Sequence, residues 1–136
     1  MKIVIVEDDP GIRKELKQLL ENAFYEAEII EEFKDTAEQI CSMIPAPDLV
    51  LLDWNLPGES GFDICTKLKE HSDIPIIFLT SRTDSMDELT GILKGADDYV
   101  TKPFSPLTLI ARMKALHRRS ELAEAREEAA VSDDHF

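Results

Sequence analysis

The sequence of 136 residues predicts a single α/β domain built on a doubly wound parallel sheet. Short apolar runs alternate with longer stretches whose apolar residues recur every three or four positions, which is typical of strands alternating with amphipathic helices. Three runs are continuously apolar, as expected for strands covered by helices on both faces. The runs are Ile3–Val6, Ala27–Ile30, Leu49–Leu52, Ile76–Leu79 and a weak one around Tyr99–Val100.

The first two helices are predicted together with their start and stop signals. Asp9 can cap the first helix and Pro10 suits its first turn. Pro45 and Pro47 should stop the second helix, because proline lacks the backbone donor that a helix needs. The apolar residues are Ile12, Leu16, Leu19, Leu20 and Ala23 in the first helix, and Ala37, Ile40, Cys41 and Ile44 in the second.

Three further helices follow the same spacing. The third begins after the turn "PGESG", the fourth ends near Gly95, and the fifth begins near Ser105 and Pro106. Strands and helices that alternate in this way imply right-handed crossovers between parallel strands. The apolar residues are Ile64, Cys65 and Leu68 in the third helix, Met86, Leu89 and Leu93 in the fourth, and Leu109, Ile110, Met113 and Leu116 in the fifth.

The composition argues against several classes of function. The chain has 15 basic and 28 acidic residues, a formal net charge of -13, so its surface should repel nucleic-acid phosphates and anionic lipids. Cys41 and Cys65 lie outside any zinc-binding spacing, and two buried reduced thiols are expected. No apolar run approaches the roughly 20 residues of a membrane span. A cytoplasmic protein is expected by default.

The last 16 residues, 121–136, differ from the rest of the chain. They contain six acidic residues and one arginine, and their apolar residues are mostly alanine. This composition favours an extension of the fifth helix that frays into a solvated acidic tail or the start of a linker. Residues 1–120 are expected to form the folded domain.

Polar side chains follow four of the predicted strands. In an open α/β sheet, ligands bind beyond the carboxyl ends of the strands, near the point where the strand order reverses. Coincidental placement of four such polar groups is improbable, although Ser81 is better explained as a helix cap. The groups are Glu7 and Asp8 after strand one, Asp53 after strand three, Thr80 and Ser81 after strand four, and Lys102 after strand five.

The carboxylates among these groups require a cation. Glu7, Asp8 and Asp53 would repel one another in a partly buried pocket unless a positive ion lay among them. Oxygen-only ligands suit Mg²⁺ or Mn²⁺, which commonly also bind a phosphate oxygen. With Lys102 to neutralise charge, this arrangement suits phosphoryl transfer to Asp53. The sequence contains no glycine-rich loop of the GxxxxGK[ST] kind, so a nucleotide donor is not supported.

Four motifs, in order, resemble the receiver domain of the two-component response regulators. They are "VEDD", "LLDWNLPGESG", "FLTSR" and "GADDYVTKPF", and the resemblance covers roughly residues 1–120. Each motif alone is weak, but the ordered set is strong evidence. The resemblance implies a flavodoxin-like, doubly wound five-stranded parallel sheet of order 2-1-3-4-5 with five helices.

The resemblance also implies roles for the residues at the strand ends. Asp53 would be the phosphoacceptor, charged by a partner sensor histidine kinase. Asp8 would bind Mg²⁺ directly, Glu7 through water, and Asn55 through its backbone carbonyl. Such domains phosphorylate themselves from a phosphodonor and lose the group slowly, which differs from conventional enzyme turnover.

The remaining roles concern the switch. Thr80 would hydrogen-bond the phosphoryl group and Lys102 would pair with it. Lys102–Pro103 would be a cis peptide, and Tyr99 would turn inward when Thr80 moves, although static packing of Tyr99 is an equal alternative. Asp9 would serve only as a helix cap.

The stretch "ADDYVTKPF" most resembles the winged-helix (OmpR/PhoB-like) transcriptional regulators. Their receivers dimerise when phosphorylated, through the fourth helix, the fifth strand and the fifth helix. The match is partial, because Thr108 and Glu88 occupy positions where many members carry glutamate and a basic residue. Candidate interface charges are Lys94, Asp97, Asp98, Arg112 and Arg119.

Other functions are compatible with parts of this pattern. A Mg²⁺-dependent phosphohydrolase would also use an aspartate nucleophile, but such enzymes usually carry it on the first strand and add a cap. A stand-alone receiver could act by protein–protein interaction alone, and an inert module could retain the fold without the chemistry. Intact acids together with Asp53, Thr80 and Lys102 argue against the inert module.

Overall fold

The computed structural model describes residues 1–81 and 95–133, with side chains described as far as residue 126. Five strands and four helices lie within these ranges. The last helix, α4, corresponds to the fifth helix expected from the sequence. In chain order the elements are β1 (Lys2–Val6), α1 (Pro10–Asn22), β2 (Glu26–Ile29), α2 (Thr36–Cys41), β3 (Leu49–Asp53), α3 (Gly61–His71), β4 (Ile76–Ser81), β5 (Asp98–Lys102) and α4 (Pro106–Asp133).

The sheet confirms the predicted class and topology. All neighbouring strands pair in parallel, and the order is β2-β1-β3-β4-β5. The chain therefore leaves β1 in one direction and β3 in the other, and the strand order reverses between them. The central strands β1, β3 and β4 are buried along almost their whole length, which explains their continuously apolar sequences.

Two apolar clusters cover the two faces of the sheet. One contains Ile5, Leu51 and Leu79 and packs against α1 and α4. The other contains Leu52 and Phe78 and packs against α2 and α3. Successive side chains of a strand alternate between the two faces of the sheet. The cluster to which a strand residue belongs therefore shows on which face the polar residue at the end of that strand lies.

The start of α1 has the predicted cap. Asp9 Oδ1 accepts hydrogen bonds from the backbone N–H groups of Gly11 (2.8 Å) and Ile12 (3.1 Å), and Pro10 is the first helical residue. Ser60 caps α3 in a similar way, since its side-chain oxygen accepts from Phe62 N at 3.2 Å, and the helix begins after the turn "PGESG" as predicted. These local contacts use Asp9 and Ser60 for structure.

The prediction for the second helix was wrong in its extent. α2 ends at Cys41, so Ile44 is not part of its apolar face and is 94% exposed. The expectation of two buried thiols was also wrong for Cys41, which is exposed at this helix end. Cys65 is buried on α3, and burial raises the pKa of its thiol to about 11.

Some predictions concern residues that lie outside the described ranges or near their ends. The predicted fourth helix, with Met86, Leu89 and Leu93, lies outside the described residues, as do Glu88 and Lys94. The extension of the last helix is observed, because α4 continues to Asp133 and residues 121–126 are exposed. Within the described residues, no helix combines the length and the apolar composition that crossing a bilayer requires.

Candidate functional site

The parallel register places the ends of β1 and β3 side by side. Val6 pairs with Leu52, so Glu7 and Asp53, which follow them, lie next to each other at the carboxyl edge of the sheet. Both continue the face that carries α1 and α4. Lys102 ends β5 on the same face, which allows its long side chain to reach back across β4. The topology alone thus brings together residues 7, 53 and 102.

Three carboxylates form a cluster at this edge. One oxygen from each of Glu7, Asp8 and Asp53 lies within 4.8 Å of the others. Glu7 is 0% exposed and Asp53 is 4% exposed, whereas Asp8 is exposed. The Asp8 backbone N–H donates to Glu7 Oε2 at 3.0 Å, which holds the buried carboxylate in place.

Lys102 is the positive group that faces the buried acids. Its Nζ lies 2.5 Å from Glu7 Oε1 and 3.2 Å from Asp53 Oδ1. The contact between Lys102 Nζ and Glu7 Oε1 is short enough for an ion pair, but its angles are not those of a hydrogen bond. Glu7 Oε1 is accordingly the single buried side-chain oxygen or nitrogen without a hydrogen bond among the described residues. One ammonium therefore pairs with two buried acids that have a third carboxylate, Asp8, beside them, which leaves negative charge in excess.

This imbalance perturbs the titration of the site. Burial, reinforced by the Glu7 carboxylate, raises the pKa of Asp53 to about 8, although the charge of Lys102 acts to lower it. Burial acts to lower the pKa of Lys102, but the carboxylates of Glu7 and Asp53 outweigh it and raise the pKa above its usual value. Without another cation, Asp53 thus retains a proton near neutral pH.

The residues present fit a hard divalent cation. All the donors of the cluster are carboxylate oxygens, and Mg²⁺ prefers oxygen ligands. The unmatched Glu7 Oε1 and the excess negative charge are both features that such an ion would correct. Asn55 follows in the exposed loop, where its backbone N–H donates to Asp53 Oδ1 at 3.3 Å.

Thr80 follows the residue that pairs with Asp53 in the sheet, but it belongs to the other face of β4. It is buried at the end of β4, and its Oγ1 donates to the Ser81 carbonyl at 3.4 Å. No hydrogen bond joins it to Asp53 among the residues described. Alternation along β4 explains this, because Thr80 continues the face of Phe78, opposite the face of Asp53.

The other expected residues have mixed placements. Lys102–Pro103 is a cis peptide, as the resemblance implied. Tyr99 is half-buried and packs against the cluster beneath α2 and α3. Trp54 is packed as well as partly exposed, since its ring makes edge contacts with Phe62 (5.2 Å) and Phe78 (4.9 Å) between ring centroids.

The loop between Asp53 and α3 contains a residue that the sequence did not single out. Glu59 Oε1 accepts hydrogen bonds from the backbone N–H and the hydroxyl of Thr36, at 3.2 Å and 2.6 Å. Thr36 is the first residue of α2, 23 positions earlier in the chain. No local pattern signals a contact across that separation.

Several candidate interface charges are paired within the chain. Arg112 Nη1 donates to both carboxylate oxygens of Asp98, at 2.7 Å and 2.9 Å. Lys69 Nζ lies 2.8 Å from Asp97 Oδ2, which also accepts a bond from a backbone N–H of β4. Arg119 is exposed on α4.

Comparison with known proteins identifies relatives of this arrangement. Residues 3–114 match the family model described as the response regulator receiver domain. The phosphate regulon transcriptional regulatory protein PhoB of Escherichia coli is 43% identical over 121 residues, covering 87% of this chain and 52% of that protein. The DNA-binding response regulator MtrA of Mycolicibacterium smegmatis is 40% identical over 120 residues, covering 88% and 52%. The chain spans about half the length of these curated relatives.

A solved structure supports the same relation. The BeF3-activated N-terminal receiver domain of RstA from Klebsiella pneumoniae superposes with a TM-score of 0.79 at 35% identity, covering 87% of this chain and 99% of that chain. The superposition includes nearly the whole of that receiver domain, in agreement with the fold described above.

Proposed function

The chain belongs to the response regulator receiver domain family, and from this premise we propose that it is a phosphorylation-dependent signalling switch. Asp53 accepts a phosphoryl group from a sensor histidine kinase. The observation that carries the proposal is the cluster of Glu7, Asp8 and Asp53, with Lys102 reaching both buried acids. A structural role would not need a third carboxylate beside two buried acids that share one ammonium.

The transfer step follows from the position of the Asp53 carboxylate. One of its oxygens attacks the phosphorus atom of a phosphohistidine, the new O–P bond forms, and the N–P bond breaks. The imidazole nitrogen keeps the electron pair and takes a proton from solvent. Lys102 Nζ, 3.2 Å from Asp53 Oδ1, is placed to pair with the transferred phosphoryl oxygens.

A bound Mg²⁺ would supply positive charge against the phosphoryl oxygens in this step. The carboxylates of Glu7, Asp8 and Asp53 and the backbone carbonyl of Asn55 are the groups proposed to hold it, and Mn²⁺ could replace it. With positive charge among them, the acids no longer favour the protonated form of Asp53. The nucleophilic carboxylate form is then available.

The output follows from new contacts of the phosphoryl group. Phosphorylation adds charge and three acceptor oxygens, which Thr80 and Lys102 bind only in that state. We place the responding surface on β5, the C-terminal helix α4 and the segment of the predicted fourth helix, where phosphorylated copies form a homodimer. The DNA-binding relatives support transcription as the output, through a domain outside these 136 residues. The site of action is the cytoplasm.

Phosphorylation of Asp53 can be tested with a small acyl phosphate donor and Mg²⁺. Wild type should gain one phosphoryl group in its intact mass, and the gain should require Mg²⁺. Asp53→Ala should gain none, whereas Asp63→Asn, a control that removes an exposed acid of α3, should behave as wild type.

Two outcomes would contradict the proposal. Equal labelling of Asp53→Ala and wild type would remove Asp53 from the role of phosphoacceptor. Release of many phosphates per protein from simple phosphate esters, at rates of an enzyme, would instead support a Mg²⁺-dependent phosphohydrolase.

A further inference from the structure

The loop between β3 and α3, residues 54–60, contains Asn55 and is tied to α2, a helix that lies far from it in sequence. Glu59 Oε1 accepts two hydrogen bonds from Thr36, one from its backbone N–H at 3.2 Å and one from its hydroxyl at 2.6 Å. Thr36 begins α2 and is 0% exposed. Two buried donors thus converge on one carboxylate oxygen of the loop.

This contact replaces the cap that α2 lacks in its own sequence. Asp35 precedes the helix in the position where a side chain normally caps it, but its φ is 50° and it makes no side-chain capping bond. Glu59 therefore supplies, from another element, the acceptor that the first turn of α2 needs. Loss of this acceptor would leave both donors of Thr36 unmatched in a buried position.

The loop is also held where it leaves and re-enters the fold. Trp54 packs on Phe62 and Phe78. Gly61 fits closely against Asp53, because a Cβ at that position would lie 2.3 Å from the Asp53 carbonyl oxygen. Between these two anchors, Glu59 makes the long-range contact that joins the loop to the body of the domain.

We propose that Glu59 is a positioning residue for the phosphorylation site. By holding the loop against α2, it restricts where Asn55 can lie. The backbone N–H of Asn55 donates to Asp53 Oδ1, and its carbonyl is the group proposed above to bind the cation. The inference rests on the proposed function, since it assigns a support to the same metal and phosphoacceptor residues. The hydrogen bonds described for Glu59 are to Thr36, and none of them reaches Asp53 or Asn55.

An experiment on Glu59 must distinguish the effect of losing its negative charge from the effect of losing its hydrogen bonds. It lines a groove of about 630 Å³ between α2 and α3, together with other acids such as Glu70. Removing any acid from a negatively charged protein can weaken cation binding slightly. Glu70→Gln removes a charge from the same groove without touching the loop, and it is the matched control.

The test measures Mg²⁺ affinity through the fluorescence of Trp54, the single tryptophan of the chain. Glu59→Ala should raise the Kd roughly 3- to 10-fold, a modest effect for a group that orients metal ligands indirectly. Glu59→Gln keeps an acceptor oxygen and should recover most of the affinity. Thr36→Val, which removes the hydroxyl donor from a buried site, should fall between them, and Glu70→Gln should match wild type.

A second measurement needs neither metal nor phosphodonor. Hydrogen–deuterium exchange of residues 54–60 in metal-free protein should be faster in Glu59→Ala than in wild type, with exchange in β1 and β3 unchanged. This pattern distinguishes a released loop from a destabilised domain. It also remains informative if one variant is less stable.

The outcomes separate this inference from the function on which it rests. Wild type that fails to bind Mg²⁺ would overturn both. Wild type that binds Mg²⁺ while Glu59→Ala binds it equally well, with unchanged exchange in the loop, would overturn the role of Glu59 alone. A loss of affinity in Glu70→Gln equal to that in Glu59→Ala would reduce the effect to charge and would also overturn that role.

Discussion

Each end of the sheet holds a lysine close to carboxylates, and the two ends are balanced differently. At the amino edge, Lys2 Nζ donates to the Pro45 carbonyl at 2.9 Å and lies 3.1 Å from Glu28 Oε2. Asp48 accepts from the Lys2 backbone N–H at 2.7 Å. Each of these polar groups has a partner from the chain itself.

The carboxyl edge has the same components in a different ratio. Lys102 faces the buried Glu7 and Asp53 with Asp8 beside them, and Glu7 Oε1 accepts no hydrogen bond. Polar groups that serve stability are matched at folding, as they are around Lys2. A buried excess of charge costs stability, and the cation proposed above would offset that cost.

Replacing each lysine by methionine should sharpen this contrast and has the largest expected effect. Lys102→Met should lower the free energy of unfolding of metal-free protein by about 3–5 kcal/mol at neutral pH, because the buried Glu7 carboxylate loses its counter-ion while Asp53 is protonated. Lys2→Met should cost about 1–2 kcal/mol, because Glu28 is partly exposed and can be hydrated. Urea unfolding of both variants measures the difference.

Equal losses in the two variants would mean that the two edges do not differ as described. A further control is acid, since lowering the pH protonates the carboxylates at the carboxyl edge. The deficit of Lys102→Met should therefore shrink at low pH.

The pH dependence of the free energy of unfolding reports on the excess negative charge at the carboxyl edge, because burial and that charge together raise the pKa of Asp53. Because the pKa of Asp53 is raised to about 8 in the folded state, the folded protein binds a proton that the unfolded chain has released above about pH 4. The contribution of this Asp53 proton to the free energy of unfolding is complete below about pH 4 and is lost as the pH rises to about 8. Over that range wild type should lose on the order of 2–4 kcal/mol relative to Asp53→Asn.

Unfolding in urea across this range, in the presence of a chelator, gives the comparison. Saturating Mg²⁺ should flatten the dependence in wild type, because a cation favours the ionised carboxylates. A constant difference between wild type and Asp53→Asn at all pH values would show that Asp53 titrates normally.

Period and position in the sequence predicted most of the fold and the membership of the site. Continuous apolar runs located β1, β3 and β4, and the carboxylates at the ends of β1 and β3 converge because parallel strands end at one edge. The extent of α2 was not predictable from its apolar spacing. Ile44 continues the period of three and four, yet the helix ends at Cys41, three residues before it.

Contacts between distant segments account for the remainder. The tie between Glu59 and Thr36 depends on how two loops meet in space, and neither residue carries a local signal of it. Thr80 differs, since the sequence predicted its place at the end of β4 but not that it would lie on the face opposite Asp53, which follows from the alternation along β4. Its approach to a phosphoryl group stays a prediction.

Near the amino edge, Phe24 has an unfavourable backbone conformation, whereas the unfavourable feature of the carboxyl edge is its excess of negative charge. Phe24 ends α1 with a φ of 66° and is 95% exposed. Around it, Tyr25 N donates to the Leu20 carbonyl and Phe24 N to the Glu21 carbonyl, the pattern of a helix end at which glycine is favoured.

Phe24→Gly should therefore stabilise the protein, the smallest of the expected effects. The left-handed conformation costs a side-chain-bearing residue about 1–2 kcal/mol, and the greater freedom of glycine in the unfolded chain offsets part of that gain, which leaves about 0.5–1 kcal/mol. Ala23→Gly is the matched control, because Ala23 has a φ of -90° and glycine there should only destabilise. Urea unfolding of the two variants should give changes of opposite sign. Changes of the same sign would show that Phe24 is not strained, and the conformational contrast with the charge around Lys102 would then be lost.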